Sequence, residues 1–303
     1  MGLKQRYTVL DLARIIAIAL VVLRHIGTTM LQRAGAPERG LFGMFGVPGF
    51  YYVSLGGIGV VIFLLLSGLS LQLNCEGDPP SWGRFMVRRC VRIYPIYYMS
   101  LVIGAFAYYW RVGSLPRFDA VDYLCAITGF YAFAGRWGGP LVATTWFIGL
   151  IMGLYVLFPV IARCMKTHPH TTVLALLATS VGARLIVGRS GILPYEPLRW
   201  FPLCNLFEFG LGMYLATVVR RGFWERLNGP AWLNSLTGLL SNLSFPLFLI
   251  HLPLLIVLES LLAHGMSAEW AIGIYLAVSI GTSTVLCAID RRLSGWLRVA
   301  LRS

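Results

Sequence analysis

The sequence is poor in charged residues. Only 12% of its 303 residues are Asp, Glu, Lys or Arg, against about 25% in a typical soluble domain, whereas 57% are hydrophobic. The mean hydropathy is +0.74. These values exclude a soluble globular protein and predict an all-α polytopic membrane protein. No stretch is polar or long enough to form a separate soluble domain, so we expect residues 1–303 to form one membrane-embedded unit.

Paired cysteines are also lacking. The six cysteines are scattered, with no Cys-x-x-Cys and no Cys/His spacing typical of a zinc site or a redox pair. We therefore expect free thiols and no bound metal. The sequence contains no internal repeat either, which disfavours the repeat-based transporter folds.

Lysine is nearly absent, since Lys4 and Lys166 are the only two among 25 basic residues, and the net charge is +13. In a soluble protein this balance would suggest nucleic acid. In a membrane protein, basic residues flank spans on the cytoplasmic side and contact anionic lipid. We therefore expect membrane lipid and no nucleic acid as partners, with both termini cytoplasmic. The dominance of arginine hints at a GC-rich bacterial genome, and we expect the protein in a bacterial inner membrane.

The apolar runs predict a helical bundle of 8–10 transmembrane helices, because a span needs roughly 17–25 mostly apolar residues. Two further stretches, residues 122–134 and 231–242, are short. If both were complete spans, two clusters of basic residues would lie on the outer side of the membrane. The distribution of positive charge therefore favours eight spans, with the short stretches re-entrant or interfacial. The eight candidates are residues 8–29, 51–72, 94–112, 144–163, 171–188, 200–220, 243–263 and 268–289.

The first span carries ionisable residues, whose insertion into the hydrocarbon layer is energetically unfavourable. Asp11 and Arg14 are i,i+3 neighbours and can pair. Arg14 and His25 differ in direction by about 20° and lie roughly 16 Å apart along the axis, whereas Arg24 points about 100° away from His25. Either this stripe faces a functional cavity, or Arg14 snorkels or pairs with Asp11 while His25 makes an ordinary interhelical hydrogen bond.

These residues resemble the R-x10-H signature of the acyltransferase-3 family of integral-membrane acyltransferases. Further similar elements follow in the family's order across nearly the whole chain. They are Gly59–Leu71 with the F-x-x-x-S-G element, Arg88–Tyr98 with R-x-x-R-I-x-P-x-Y-Y, Thr144–Pro159, Phe207–Leu215 and Leu243–Pro253.

The sequence departs from the family pattern at several points. Ile151 stands where many members carry a Glu five residues after Trp146, so no acid role is transferred to that position. The late motif reads Ser244–Phe245 instead of Ser-Tyr. The family is usually described with ten helices, and this chain is short around residues 221–242, which weakens inference about the acceptor.

The resemblance implies acyl transfer from acyl-coenzyme A, with acetyl the expected group, to a hydroxyl of a glycan, glycolipid or glycosylated small molecule. His25 is the expected catalytic base, and a covalent acyl-histidine is the competing mechanism. Arg14, oriented by Asp11, would line a passage from the donor site to His25. Arg89 and Arg92 would hold the phosphates of coenzyme A, because guanidinium groups bind phosphate in bidentate fashion.

Four further residues are weaker candidates. Ser67 is grouped with the donor site, although a membrane serine more often bonds helix backbone. Trp146, Glu208 and His251 are candidate substrate contacts. The alternatives are packing for Trp146, an ion pair with Arg184 for Glu208, and a structural role for His251.

Two other functions are consistent with the same pattern of residues. A small transporter or flippase would also place an Arg/His/Asp stripe and a buried Glu inside a helical bundle. A non-catalytic partner in a glycan-synthesis complex is the second, and the intact arginine and histidine elements disfavour it. The sequence leaves the acceptor, the acyl group and the oligomeric state open.

Overall fold

The computed structural model describes residues 7–37, 45–47, 51–75, 81–190, 193, 197–219 and 221–300. Its long helices are α1 (Thr8–Arg33), α2 (Leu55–Leu73), α3 (Trp82–Val112), α5 (Trp146–Thr167), α6 (Pro169–Ser190), α10 (Ala231–Ala263) and α11 (Ala268–Ala300). Shorter helices are α4 (Ala120–Thr128), α7 (Pro197–Trp200), α8 (Leu206–Val218) and α9 (Arg221–Arg226). Single 3-10 turns cover Tyr131–Ala134, Ala143–Thr145 and Pro202–Asn205. Strands β1 (Phe45–Val47) and β2 (Tyr51–Val53) pair antiparallel.

The all-α polytopic membrane fold is confirmed. Six helices of the described chain are long and apolar enough to cross a membrane, namely α2, α3, α5, α6, α10 and α11. With 26 residues, α1 is also long enough, at roughly 39 Å. Large apolar side chains such as Phe106, Trp110 and Ile186 are exposed, as expected for surfaces that meet lipid.

Two of the predicted segments differ from the expectation. Residues 231–242 do not form a separate short segment, because they are the first part of α10, a continuous helix of 33 residues. The predicted span 200–220 is broken into α7, a 3-10 turn and α8, since Pro202 lacks the N–H that would continue α7. The predicted 122–134 segment is short, as expected. The two termini, which the sequence predicts to be cytoplasmic, lie outside the described residues, and so do Lys4 and Arg6.

The most enclosed helix is α5. In the most apolar 18-residue stretch of α5, 72% is buried inside the protein, whereas the corresponding share is 17–44% in the other five candidate spans. Around it, α2 contacts α1 and α8, and α10 contacts α1, α3 and α11. One hydrophobic core contains side chains from all of these helices and from α6. Residues at the inner face of several helices can therefore meet around α5.

The contact between α2 and α8 depends on two glycines. A Cβ on Gly68 would lie 1.9 Å from the carbonyl oxygen of Phe209, and a Cβ on Gly212 would lie 1.9 Å from that of Leu65. The two backbones therefore pack directly against each other, as small residues allow in membranes. This explains physically why glycine follows Ser67 in the second-helix motif.

Candidate active site

A cavity of about 330 Å³ lies at one end of the bundle. It is enclosed by α1, the first turn of α2, the segment before α5 with the start of α5, α7 and α10. The side chains that carry chemistry in its lining are Arg24, His25, Trp137, Trp146 and Arg199. The cavity thus combines an imidazole, two guanidinium groups and two indoles in a wall that is otherwise mostly apolar, with Ser54, Thr144 and Asn205 as the further polar lining residues.

His25 reaches the cavity from α1 and lies against His251 of α10. The two ring centroids are 5.1 Å apart, with the ring planes tilted by 47°. The ring of His25 makes no hydrogen bond to another side chain or backbone group in the described part of the chain. A ring nitrogen of His25 can therefore meet a ligand in the cavity.

His251 is fully buried and fixed in one tautomer. Its Nδ1–H donates to the carbonyl oxygens of Phe248 (2.8 Å) and Leu247 (3.1 Å). Nε2 is consequently the unprotonated nitrogen, and it has no hydrogen-bond partner among the described residues. Tyr275 of α11 donates its hydroxyl to the carbonyl oxygen of His251 at 3.0 Å and holds this part of α10. The structure therefore places a neutral imidazole with a free acceptor beside His25.

Arg24 also lines the cavity, although helix geometry points it away from His25. Its side chain lies across Gly56 in the first turn of α2, where a Cβ would come within 3.3 Å of the Arg24 Cγ. Because Gly56 has no side chain, the stem of Arg24 can bend over α2 and bring its charge to the cavity. The sequence did not predict this placement.

Trp137 and Trp146 form a stacked pair on the cavity wall, with ring centroids 5.3 Å apart and ring planes 27° apart. Trp137 has a φ of 52°, which is rare for a bulky residue and is a form of strain often found at functional sites. Thr145 stabilises this loop by donating its hydroxyl to the carbonyl oxygen of Gly138. Trp146, a predicted candidate, is therefore at the cavity, and Trp137 was missed.

Thr144 ties the same loop to α10. Its hydroxyl donates to the carbonyl oxygen of Leu249 at 3.1 Å. This carbonyl has no intrahelical partner, because Pro253 lacks the N–H that would normally reach four residues back. A motif proline thus creates the acceptor that fixes the loop next to His251.

Asn205 holds α7, which carries Arg199. The side-chain amide of Asn205 donates to the carbonyl oxygens of Leu198 (3.2 Å), Arg199 (3.1 Å) and Phe201 (3.0 Å) at the end of that short helix. The carbonyls of Leu198 and Arg199 lie at the helix C-terminus, where backbone partners run out, whereas that of Phe201 also accepts from the Cys204 N–H. The break in the predicted span 200–220 therefore positions Arg199 at the cavity.

Asp11 and Arg14 form a separate network nearer the other end of α1. Arg14 donates to Asp11 Oδ1 at 2.8 Å and to Ser70 of α2. Asp11, 2% exposed, also accepts a hydrogen bond from Ser241 of α10 at 2.8 Å. The predicted i,i+3 pair is present. Arg14 is not among the residues that line the cavity, so the expected common wall of Arg14 and His25 is not observed, because Asp11 and Ser70 hold the guanidinium elsewhere.

Arg89 lies on the same side of the bundle as this network. Its guanidinium lies over the rings of Phe85 (5.2 Å) and Tyr155 (5.8 Å). The Tyr155 hydroxyl is 3.0 Å from Ser67 Oγ, so the fold brings Ser67 close to Arg89 through Tyr155. Arg89 Nε is buried without a hydrogen-bond partner in the described chain. Arg92 is exposed.

Glu208 forms an ion pair with Arg184, and Arg184 also donates to the carbonyl oxygen of Cys204 at 2.7 Å. Glu208 does not line the cavity around His25. Of the two interpretations of Glu208, the structure therefore matches the ion pair with Arg184.

The region of Arg14 and Arg89 and the cavity around His25 lie a similar distance apart along four helices. On each helix, a residue of the Arg14 or Arg89 region lies nine to eleven positions from one that lines the cavity or, for His251, contacts His25, which corresponds to about 14–16 Å. The pairs are Arg14 and His25 on α1, Ser67 and Gly57 on α2, Tyr155 and Trp146 on α5, and Ser241 and His251 on α10.

A charge cluster outside the spans supports the loop that carries Trp137. Arg136 pairs with Asp119 (2.6 Å) and Asp122 (2.5 Å), and the two aspartates form a capping box at the start of α4. The hydrogen bond from Arg136 lowers the pKa of Asp119 below its ordinary value. The Asp-x-x-Asp pattern before an apolar turn is the sequence signal that could have predicted this cluster.

The chain was compared with protein families, curated proteins and solved structures. Residues 7–239, well over half of the chain, match the model of a family described as an acyltransferase domain. The "Regulator of hypoxia-inducible factor 1" of Caenorhabditis elegans is 27% identical over 195 residues, which are 59% of this chain and 38% of that protein. "Acyltransferase MdmB" of Streptomyces mycarofaciens is 24% identical over 205 residues, 61% of this chain and 51% of that protein. The chain therefore spans about half or less of these relatives. No solved structure matches.

Proposed function

The chain belongs to this family, acyltransferase-3, and from that premise we propose that it moves an acyl group, acetyl in the simplest case, from acyl-coenzyme A to a hydroxyl of a sugar or glycan acceptor. The observation that carries the proposal is the cavity itself, where the imidazole of His25 lies unengaged beside the buried neutral His251. We propose that residues 1–303 act as one unit in a bacterial inner membrane with both termini cytoplasmic, which the distribution of arginine supports.

In the proposed reaction, His25 acts as the general base. It takes the proton of the acceptor hydroxyl while the oxygen attacks the thioester carbonyl. The tetrahedral intermediate collapses with cleavage of the C–S bond, and the proton held by His25 passes to the leaving thiolate. Attack by His25 itself, giving an acyl-histidine, is the alternative order of the same steps. The free Nε2 of His251 supports a role in holding the orientation of His25.

Arg89 supports a donor-phosphate site. Its buried Nε lacks a protein partner, and a phosphate oxygen would satisfy this donor. Exposed Arg88 and Arg92 follow on the first turns of α3 and add positive charge. The thin pantetheine arm of the donor would cross the distance of about 14–16 Å between this region and the cavity. We assign Arg14 and Asp11 to positioning α1 between the two regions, since both are engaged with each other.

The test is an acyl-transfer assay with purified protein in nanodiscs, radiolabelled acetyl-coenzyme A and a sugar acceptor. Wild-type protein should release free thiol and label the acceptor. His25→Ala should abolish both, whereas the matched control His264→Ala should not, because His264 is exposed and bonds only to its own helix. Transfer at the normal rate by His25→Ala would remove His25 from the mechanism.

Arg89→Gln tests the donor site in the same assay. We expect a raised KM for acetyl-coenzyme A at unchanged acceptor KM. Arg163→Gln removes an exposed arginine at the end of α5 and serves as the control. An unchanged donor KM in Arg89→Gln and Arg92→Gln would make these arginines topology signals only.

One observation favours a transporter as the second candidate. The discontinuous segment of α7, a 3-10 turn and α8 contributes to the cavity, and broken helices at a binding site are typical of transporters. Uptake of a labelled sugar by proteoliposomes without any acyl donor would support this function. Acyl transfer without such uptake would dismiss it.

A further inference from the structure

The part of the cavity wall that faces the region of Arg14 and Arg89 is apolar. We call it the floor, and its residues are Val21 of α1, Val60 and Val61 of α2, and Phe248 of α10. They lie three or four positions from His25 on α1, from Gly57 on α2 and from His251 on α10, which corresponds to about 4.5–6 Å. On all three helices the displacement is toward the proposed donor site. An acyl group that arrives from that site would therefore meet the floor next to His25.

The valine part of the floor is fixed by a direct contact between α1 and α2. A Cβ on Gly59 would lie 2.8 Å from Cγ2 of Val21 and 2.5 Å from the carbonyl oxygen of Ala17. The two helices therefore touch at the floor, as small residues allow in membranes. Valine in a helix has one strongly preferred rotamer, so the methyl groups of Val21, Val60 and Val61 present a stiff surface to the cavity.

The aromatic part of the floor is held from two other helices. The ring of Phe248 packs against Phe147 of α5, with centroids 4.9 Å apart, and edge-to-face against Phe63 of α2, with centroids 5.9 Å apart. Phe248 is only 3% exposed. Because side chains packed this closely have little room to move, the ring sets a fixed limit to the depth of the cavity.

The floor adjoins both imidazoles. The ring centroid of Phe248 is 6.1 Å from that of His251, whose ring lies against His25. Val21 and His25 are i,i+4 neighbours on one face of α1. When a thioester carbonyl lies at His25, the carbon chain attached to it is therefore within reach of the floor. Contact with valine and phenylalanine side chains is favourable for such a chain, because it removes apolar surface from water.

We propose that the floor binds the hydrocarbon part of the transferred acyl group and limits it to short chains, with Phe248 setting the limit. This inference rests on the proposed function and adds a binding site for the acyl group. In that reaction the acceptor oxygen bonds to the acyl carbon, the C–S bond breaks, and the proton passes through His25 to the thiolate. The floor contacts only the carbon chain. If the floor residues served helix packing alone, their substitution would affect all donors alike.

The experiment compares acetyl-, butyryl- and hexanoyl-coenzyme A as donors to the same sugar acceptor, with the purified full chain in nanodiscs. One methylene group in a hydrophobic pocket changes kcat/KM by roughly 10–200-fold. For wild-type protein, kcat/KM should therefore be at least about ten-fold lower with butyryl- than with acetyl-coenzyme A, and lower again with hexanoyl-coenzyme A. Equal values for the three donors would overturn this inference while the proposed function stands. Thiol release from none of them would overturn the proposed function and this inference with it.

Variants of the floor locate the length limit. Phe248→Leu should raise the butyryl-to-acetyl ratio of kcat/KM several-fold, because it deepens the floor, and the backbone bond from the Phe248 carbonyl to His251 is kept. Val60→Ala enlarges the floor at a half-buried position and should act in the same direction, whereas Val60→Leu should lower the ratio. The control is Phe245→Leu, also on α10 and packed against the same core, but not among the lining residues.

The ratio of two donors on one preparation does not depend on the folded fraction, so a loss of stability cannot imitate the expected shift. An unchanged ratio in Phe248→Leu and Val60→Ala, or an equal rise in Phe245→Leu, would overturn the assignment of the floor. Inhibition by free coenzyme A, which lacks the acyl group, should be the same in wild-type protein and in the floor variants. A weaker inhibition that accompanies the altered ratio would place these residues in coenzyme binding and overturn their role as the acyl site.

Discussion

Two arginines of α1, only ten residues apart, lie in opposite surroundings. Arg14 is neutralised by Asp11 and bonds to Ser70, in a network that also includes Ser241 of α10. Arg24 lies at a cavity whose described lining contains no carboxylate. The first arrangement connects three helices, and the second places a guanidinium group at the cavity wall, with its stem packed over Gly56 of α2. One helix therefore carries an arginine inside a network that joins three helices and an arginine at the wall of the cavity.

The largest expected effect breaks the Asp11 network. Asp11→Ala leaves Arg14 without its carboxylate in a partly buried site and should destabilise the protein by about 3 kcal/mol, the lower end for a broken buried ion pair, since Arg14 is partly exposed. Equilibrium unfolding in detergent measures it. Glu269→Ala, which removes an exposed carboxylate in the first turn of α11, is the control. A loss below that of the control would show that Arg14 does not depend on this partner.

On the cavity side, Thr144→Val removes the hydroxyl that satisfies the Leu249 carbonyl, which Pro253 leaves free. The unsatisfied buried carbonyl should cost about 1–3 kcal/mol of unfolding free energy. Thr179→Val removes a hydroxyl that bonds only to its own exposed helix turn and should cost less. Equal losses for both variants would contradict a special role for the proline-freed carbonyl.

His251→Phe sharpens the comparison by keeping a ring in place without nitrogens. If His251 orients His25, the rate should fall about ten-fold, which corresponds to about 1.4 kcal/mol. The pH–rate profile should move as well, because the electrostatic surroundings of His25 change. A stability loss with unchanged kcat and an unchanged profile would make His251 a packing residue.

The smallest effect concerns the charge cluster under the Trp137 loop. The pKa of Asp119 is depressed by Arg136, so its contribution to stability is present at neutral pH and is lost as the pH falls through the lowered value. Asp119→Asn should therefore be slightly less stable than wild type at pH 7, and the two should converge in acid. A difference that persists or grows in strong acid, well below the ordinary pKa of aspartate, would contradict this account.

Local patterns in the sequence predicted the long apolar helices and the pairing of Asp11 with Arg14, since both depend on neighbours along one helix. The cavity could not be predicted in the same way. Arg199 and Trp137 reach His25 only through tertiary contacts, and Arg24 joins them because a glycine on another helix makes room. The shortness of the 231–242 stretch and the distribution of basic residues suggested a re-entrant or interfacial piece, yet α10 is continuous through it, with Thr237 and Ser241 buried and Ser241 bonded to Asp11 of α1. The catalytic and donor-binding roles themselves stay predictions.

The most direct test measures the acyl-transfer rate and the unfolding free energy of His25→Ala together. The account predicts a rate lower by about 10²–10⁴-fold, the usual contribution of a general base, with stability close to that of the wild type. Asp11→Ala should show a large loss of stability instead. A His25→Ala protein that transfers acyl groups at the wild-type rate, or that loses rate only in proportion to lost stability, would contradict the assignment of this cavity as the active site.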